Sequence, residues 1–167
     1  MRTTPALHRV ALAGAVRALA ATPHSASSTV TRVDATDTAA TVAPAREGSP
    51  RSAVDRVADF YGAYIDVLYD SGRTTVADAL RGHYLTARLR TDLARWEKEH
   101  RTDGMLRAEG VPVAWEVGYN DSGMGHCWTR VTLTWEDHVG RSHRTHLMVQ
   151  SDLGTGLISG VRTDGQA

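Results

Sequence analysis

His126 and Cys127 stand side by side, and a thiolate activated by an imidazole is a nucleophilic pair that enzymes use. Neighbours on a strand point to opposite faces, so the two cannot hydrogen-bond easily if this segment is extended. Cys127 shares parity with Val131, Leu133 and Trp135, which reads as an inert, buried thiol. As the single cysteine it forms no internal disulfide, and it cannot supply the thiolates of a structural zinc site. His126, His138, His143 and His146 crowd the second half of the chain without metal-ligand spacing; His143 and His146, three apart on a strand, face opposite ways. No metal and no other cofactor is expected. For acid–base work there remain His146, placed mid-strand beside Met148 where an inward ring titrates near neutral pH, and the carboxylates Asp66 and Glu116. Asp66 lies off the apolar stripe of its helix and Glu116 is out of phase with its strand, so both read as solvent-facing, and no catalytic dyad emerges. Gly123-Met124-Gly125 and Gly154-Thr155-Gly156 do not complete a phosphate-binding fingerprint and precede no helix; they read as hairpin glycines.

The elements that must carry these residues are legible from periodicity. From Ser52 to Tyr69, Val54, Val57, Tyr61, Tyr64, Ile65 and Leu68 recur at spacings of three and four, which predicts a helix stopped by Gly72. Thr75 with Asp78 resembles a capping box and opens a short second helix through Val76, Ala79 and Leu80. A third helix starts at Thr86 and buries Leu89, Leu93 and Trp96. Its other face mixes Arg88, Arg90, Arg95 and Lys98 with Asp92, Glu97 and Glu99, a solvated surface. The period then drops to two. Val111, Val113, Trp115, Val117 and Tyr119 form a first strand, Asn120 to Gly123 a turn, and Cys127, Val131, Leu133 and Trp135 one side of a second strand. Asp137 to Gly140 and Asp152 to Gly156 are turns before strands through Leu147 and Val149 and through Leu157 to Val161. Helices followed by strands predict an α+β domain, three N-terminal helices packed on a curved four-stranded antiparallel meander sheet.

Packed in this way, Tyr61, Tyr64, Leu89, Trp96, Trp115 and Trp135 converge on the concave side. They either fill the core or line a pocket for an apolar ligand with a few polar contacts. Trp128 is out of phase with its strand's apolar set, so it stands on the outer face, as an interface anchor or under cover from a helix end or the leader.

With 167 residues the chain holds one ordinary domain, and 19 Lys+Arg against 19 Asp+Glu leave no basic footprint for nucleic acid. No apolar run approaches the ~18 residues of a membrane span. Arg2 and Arg9, the apolar stretch from Val10 to Val16 and the small residues that follow match a secretory signal over residues 1–26, which predicts a secreted protein. Arg17 interrupts the apolar segment, and a cytoplasmic, frayed N-terminus is the fallback. Residues 27–51 are rich in Ser, Thr, Ala and Pro and lack aromatics, reading as a flexible leader ahead of a single domain over 52–164.

The helix-then-strand order, the aromatic run Asp59-Phe60-Tyr61-Gly62-Ala63-Tyr64, the bridge Asp103-Gly104-Met105-Leu106-Arg107-Ala108-Glu109 and the strand start Val113-Ala114-Trp115 resemble the nuclear transport factor 2-like superfamily, a cystatin-like α+β cone. Within it the resemblance is to small exported bacterial members of unknown function. It covers residues 52–164 and implies a bent sheet around the long helix with a pocket at the open end. Some relatives are cofactor-free isomerases or cyclases with an acid or a histidine in that pocket, and others are noncatalytic binding or dimerisation modules. The expectation is an exported noncatalytic binding domain, for a protein partner, a second copy or a small apolar ligand. The alternatives are an isomerase or cyclase using His146, Asp66 or Glu116, and an exported inhibitor or immunity-type protein.

Overall fold

The computed structural model describes residues 46–165; the expected signal and the leader up to residue 45 lie outside the described residues. The first helix, α1 (Ala53–Ser71), starts where the Ser52 hydroxyl accepts a hydrogen bond from Asp55 N at 3.2 Å. It ends at Gly72, whose φ of 68° only glycine adopts without strain and whose N–H donates to Leu68 O. Its stripe buries Val57, Phe60, Tyr61, Tyr64, Ile65 and Leu68, while Val54 stays partly exposed. The second helix, α2 (Thr75–Tyr84), is rotated from the expected setting. Ala77 and Arg81 face inward, Leu80 is half-buried, and Val76 and Ala79 face water. Thr75 does not cap it. Thr74 is the N-cap residue, and Asp78 is held instead by Arg73, with Nε at 2.9 Å and Nη2 at 2.8 Å. The third helix, α3 (Ala87–His100), opens as expected on Thr86, whose hydroxyl accepts from Leu89 N. It closes at Arg101 in the left-handed region.

Four strands follow: β1 (Ala114–Gly123), β2 (His126–Glu136), β3 (Ser142–Asp152) and β4 (Ile158–Thr163). They pair antiparallel in the order β1-β2-β3-β4, so the domain is α+β with its helices N-terminal to the sheet. The register stacks Cys127, Thr129, Val131 and Leu133 of β2 beside Ser151, Val149, Leu147 and Thr145 of β3, and Val161 of β4 beside Val149. This face meets α1 and forms the core, with Val131, Leu133, Leu147 and Val149 fully buried. Each such side chain contributes roughly 1.5–3 kcal/mol relative to exposure. Phe60 centres the helical side, its ring 5.1 Å from Tyr64, 5.4 Å from Tyr61 and 5.6 Å from Tyr84. Trp115 and Trp135 both turn toward this core. The Trp115 ring edge comes so close to α1 that a Cβ at Gly62 would lie 2.8 Å from Cζ2, so this helix position has to be side-chain-free.

One boundary differs from expectation. Asn120 to Gly123 is not a turn; β1 runs on through a bulge between Tyr119 and Asp121, and the reversal is made by Met124 and Gly125 alone, with φ of 50° and 80°. Positive φ at both central residues is what a two-residue hairpin matching the strand twist requires. Residues 46–51, which the sequence places in the expected leader, make contacts with the domain: the Arg46 guanidinium sits 4.7 Å over the Trp115 ring, and Ser49 N donates to Asp55 Oδ2 at 2.8 Å. At the far side of the sheet, the backbone edge of β4 is engaged by Thr86 N, which donates to Ile158 O at 2.9 Å, and by Arg107 Nη2, which donates to Val161 O at 2.9 Å.

Candidate functional site

The aromatic set expected to line a concave pocket is mostly core. Tyr61 and Tyr64 are 0% exposed; Tyr61 Oη donates to Met105 O at 3.0 Å and Tyr64 Oη donates to Asp103 Oδ2. Burial, reinforced by the nearby Asp103 charge, pushes both phenols above the ordinary tyrosine range, so neither is poised to ionise for a ligand. Trp135, 6% exposed, spends its indole N–H on Thr145 Oγ1 at 2.9 Å, and Trp115 is half-buried beneath Arg46. Met105 and Leu106, from the bridge between α3 and β1, are buried in the same core. Only Leu89 and Trp96 of the expected six line an open cavity, described below.

The acid–base candidates are dispersed. Asp66 is exposed on α1, and Glu116 is exposed on β1 at a shallow outer depression shared with Arg130 and Thr132. His146 does not point inward. It shares the outer face with Met148, and its exposed ring places Nδ1 3.1 Å from Thr132 Oγ1. Met148 misleads as a neighbour because it is itself buried on that outer face, between its register partners Arg130 and Arg162. Cys127 is 4% exposed and burial raises its thiol pKa, while His126 lies on the opposite face. Among the described residues no group of three His, Cys, Asp or Glu is close enough to hold a metal ion. Trp128 is on the outer face but only half-exposed, with the guanidinium of Arg162 from β4 5.4 Å over its ring.

Sequence periodicity missed a buried polar cluster, because it reads charge as solvated. Arg81, 5% exposed, pairs through Nη1 with Glu97 Oε1 at 2.7 Å and through Nη2 with Asp103 Oδ2 at 2.8 Å, and donates from Nε to Tyr64 Oη at 2.9 Å. Asp103 Oδ1 accepts from Met105 N and Leu106 N, and Glu97 Oε1 accepts from Gly104 N. The cluster thus ties α1, α2 and α3 to the bridge at residues 103–106, and Glu97 belongs to it, not to the solvated face of α3. Its chemistry is structural: every carboxylate oxygen named here is occupied by a donor, as buried charge requires.

The same bridge delivers Arg107, with φ of 55°, to the mouth of a groove of about 700 Å³ between α3 and β4. Leu89, Leu93, Trp96 and Val161 give the groove an apolar side; Thr86, Gln150, Asp152 and Ser159 give it a polar one. Trp96 is sandwiched, its ring stacked on His100 at 4.1 Å and carrying the Arg107 guanidinium at 4.2 Å; two flat groups this close occupy opposite faces. His126 also lines the groove, and its Nδ1 is buried without a partner. Asp152 is satisfied internally: Thr155 N and Thr155 Oγ1 both donate to Oδ1 at 2.7 Å, which with the nearby His126 holds its carboxyl below the usual aspartate range. No protein-family model, no curated protein and no solved structure matches the chain.

Proposed function

We propose that this domain is a noncatalytic binding module whose site is the groove between α3 and β4. The observation that carries the reading is the groove itself, about 700 Å³ with an apolar side facing polar groups, a size and lining typical of small-molecule sites. The element order also supports a cone of the nuclear transport factor 2-like kind, and the N-terminal sequence supports export. The ligand in this reading is small and amphipathic, its body against Leu89, Leu93 and Val161. The neutral fluorophore N-phenyl-1-naphthylamine tests this, because its emission rises on entering an apolar site. Saturable binding is expected, and Ser159→Trp, which adds bulk inside the groove, is expected to weaken it about tenfold or more. Binding unaffected by Ser159→Trp, or no binding, removes the groove as the site.

Self-association through the outer sheet face is the second reading, favoured by the half-exposed Trp128 ring on that face. In sedimentation velocity, Trp128→Ala is expected to shift any dimer toward monomer with the far-ultraviolet circular dichroism unchanged. An unaltered distribution rules out this face.

A further inference from the structure

We infer that the groove selects ligands bearing a carboxylate, with Arg107 as the anchoring cation; this rests on the groove being the binding site. Arg107 is the one cation there whose charge is left without a counter-ion among the described residues. Arg88, the other guanidinium lining the groove, lies 3.8 Å from Asp92, which lines it too, and Asp152 is engaged by Thr155 and lies close to His126. No carboxylate of the described residues forms an ion pair with Arg107; one nitrogen donates to Val161 O and Nε is buried without a partner. Burial lowers the guanidinium pKa, with Glu97 and Asp103 only near enough to offset part of this. The stack on Trp96 and the bond to Val161 fix the orientation of the guanidinium without bringing a carboxylate into contact with it.

A planar cation held rigid at the edge of an apolar groove matches a carboxylate attached to an apolar body. The head group would meet the side of Arg107 that lines the groove, and the body would lie along Leu89, Leu93 and Val161.

The test uses displacement of N-phenyl-1-naphthylamine from the full chain by naphthalene-2-carboxylate and by the isosteric naphthalene-2-carboxamide. The carboxylate is expected to displace the fluorophore at roughly tenfold lower concentration than the amide, a preference that shrinks as salt is raised. Arg107→Gln is expected to erase the preference while retaining affinity for the fluorophore. Equal displacement by acid and amide, or a preference that survives Arg107→Gln, overturns the inference and leaves groove binding standing. Absence of fluorophore binding overturns both. If Arg107→Gln does not fold, the acid–amide comparison on the wild-type chain still decides.

Discussion

Replacing Arg81 with methionine is expected to cost about 3–5 kcal/mol of folding free energy, the penalty for stranding buried carboxylates without their counter-charge. The side chain of Arg81 is 6% exposed, and those of Glu97 and Asp103 are 17% and 15% exposed, so solvent cannot take over the role of the guanidinium. Tyr64 Oη would also lose the Arg81 Nε donor. Against a total of roughly 5–15 kcal/mol for a domain of this size, such a loss is a large fraction of stability. The check is a urea titration, in which the midpoint should fall with little change in slope. Adding Glu97→Gln to Arg81→Met should restore part of the loss, since one stranded charge is then removed. Arg73 also reaches these carboxylates, Nη1 lying 3.4 Å from Glu97 Oε2 and 3.8 Å from Asp103 Oδ2, but its side chain is 42% exposed and these contacts are longer, so methionine there should cost less than at Arg81. A loss below about 1 kcal/mol for Arg81→Met would show that the three helices are not held by this cluster.

Asp103→Ala is expected to cost a comparable 3–5 kcal/mol, for a partly different reason. One oxygen of Asp103 neutralises Arg81 and accepts from Tyr64, while the other receives the N–H groups of Met105 and Leu106. Alanine leaves all of these donors unanswered, whereas asparagine keeps an oxygen for the backbone and loses the charge. Asp103→Asn should therefore fall between wild type and alanine, at about 1–3 kcal/mol. The bridge shaped by Asp103 leads directly into Arg107, whose N–H donates to Asp103 O at 2.8 Å. The carboxylate preference of the groove should decline in the same order, measured by the naphthyl displacement assay. Equal losses for asparagine and alanine would show that only the ion pair matters and that the backbone bonds contribute little. The double variant Arg81→Met/Asp103→Ala should cost less than the two singles together, because each removes the partner of the other.

The order and number of elements were legible because apolar periodicity survives wherever a face is buried. The α1 stripe, the Thr86 cap and the alternation of β2 all came from that signal. It failed at α2, where the inward position is an arginine: with Arg81 counted as polar, the best apolar face became Val76, Ala79 and Leu80, and the helix was set turned. It failed at the first hairpin because Asn-Asp-Ser-Gly is strong turn chemistry, yet the two-residue reversal used Met124 and Gly125. The site was less legible. Large aromatics pointed to a cavity, but Tyr61, Tyr64 and Trp135 fill the interior with their polar tips already bonded. Arg107 carried no pattern of its own. Its position depends on contacts with Trp96 and Val161, 11 and 54 residues away, and separations of that kind leave no trace in local spacing.

The contacts made by Thr86 and Arg107 along β4 leave the two borders of the sheet unlike each other. At β4, Ile158 O and Val161 O are already satisfied from within the chain, so an incoming peptide meets a row partly taken. Among the described residues the β1 border is the more open of the two to a foreign strand. There the bulge at Tyr119 and the exposed Glu116 interrupt a flat ladder, the kind of irregularity that discourages amyloid-like stacking.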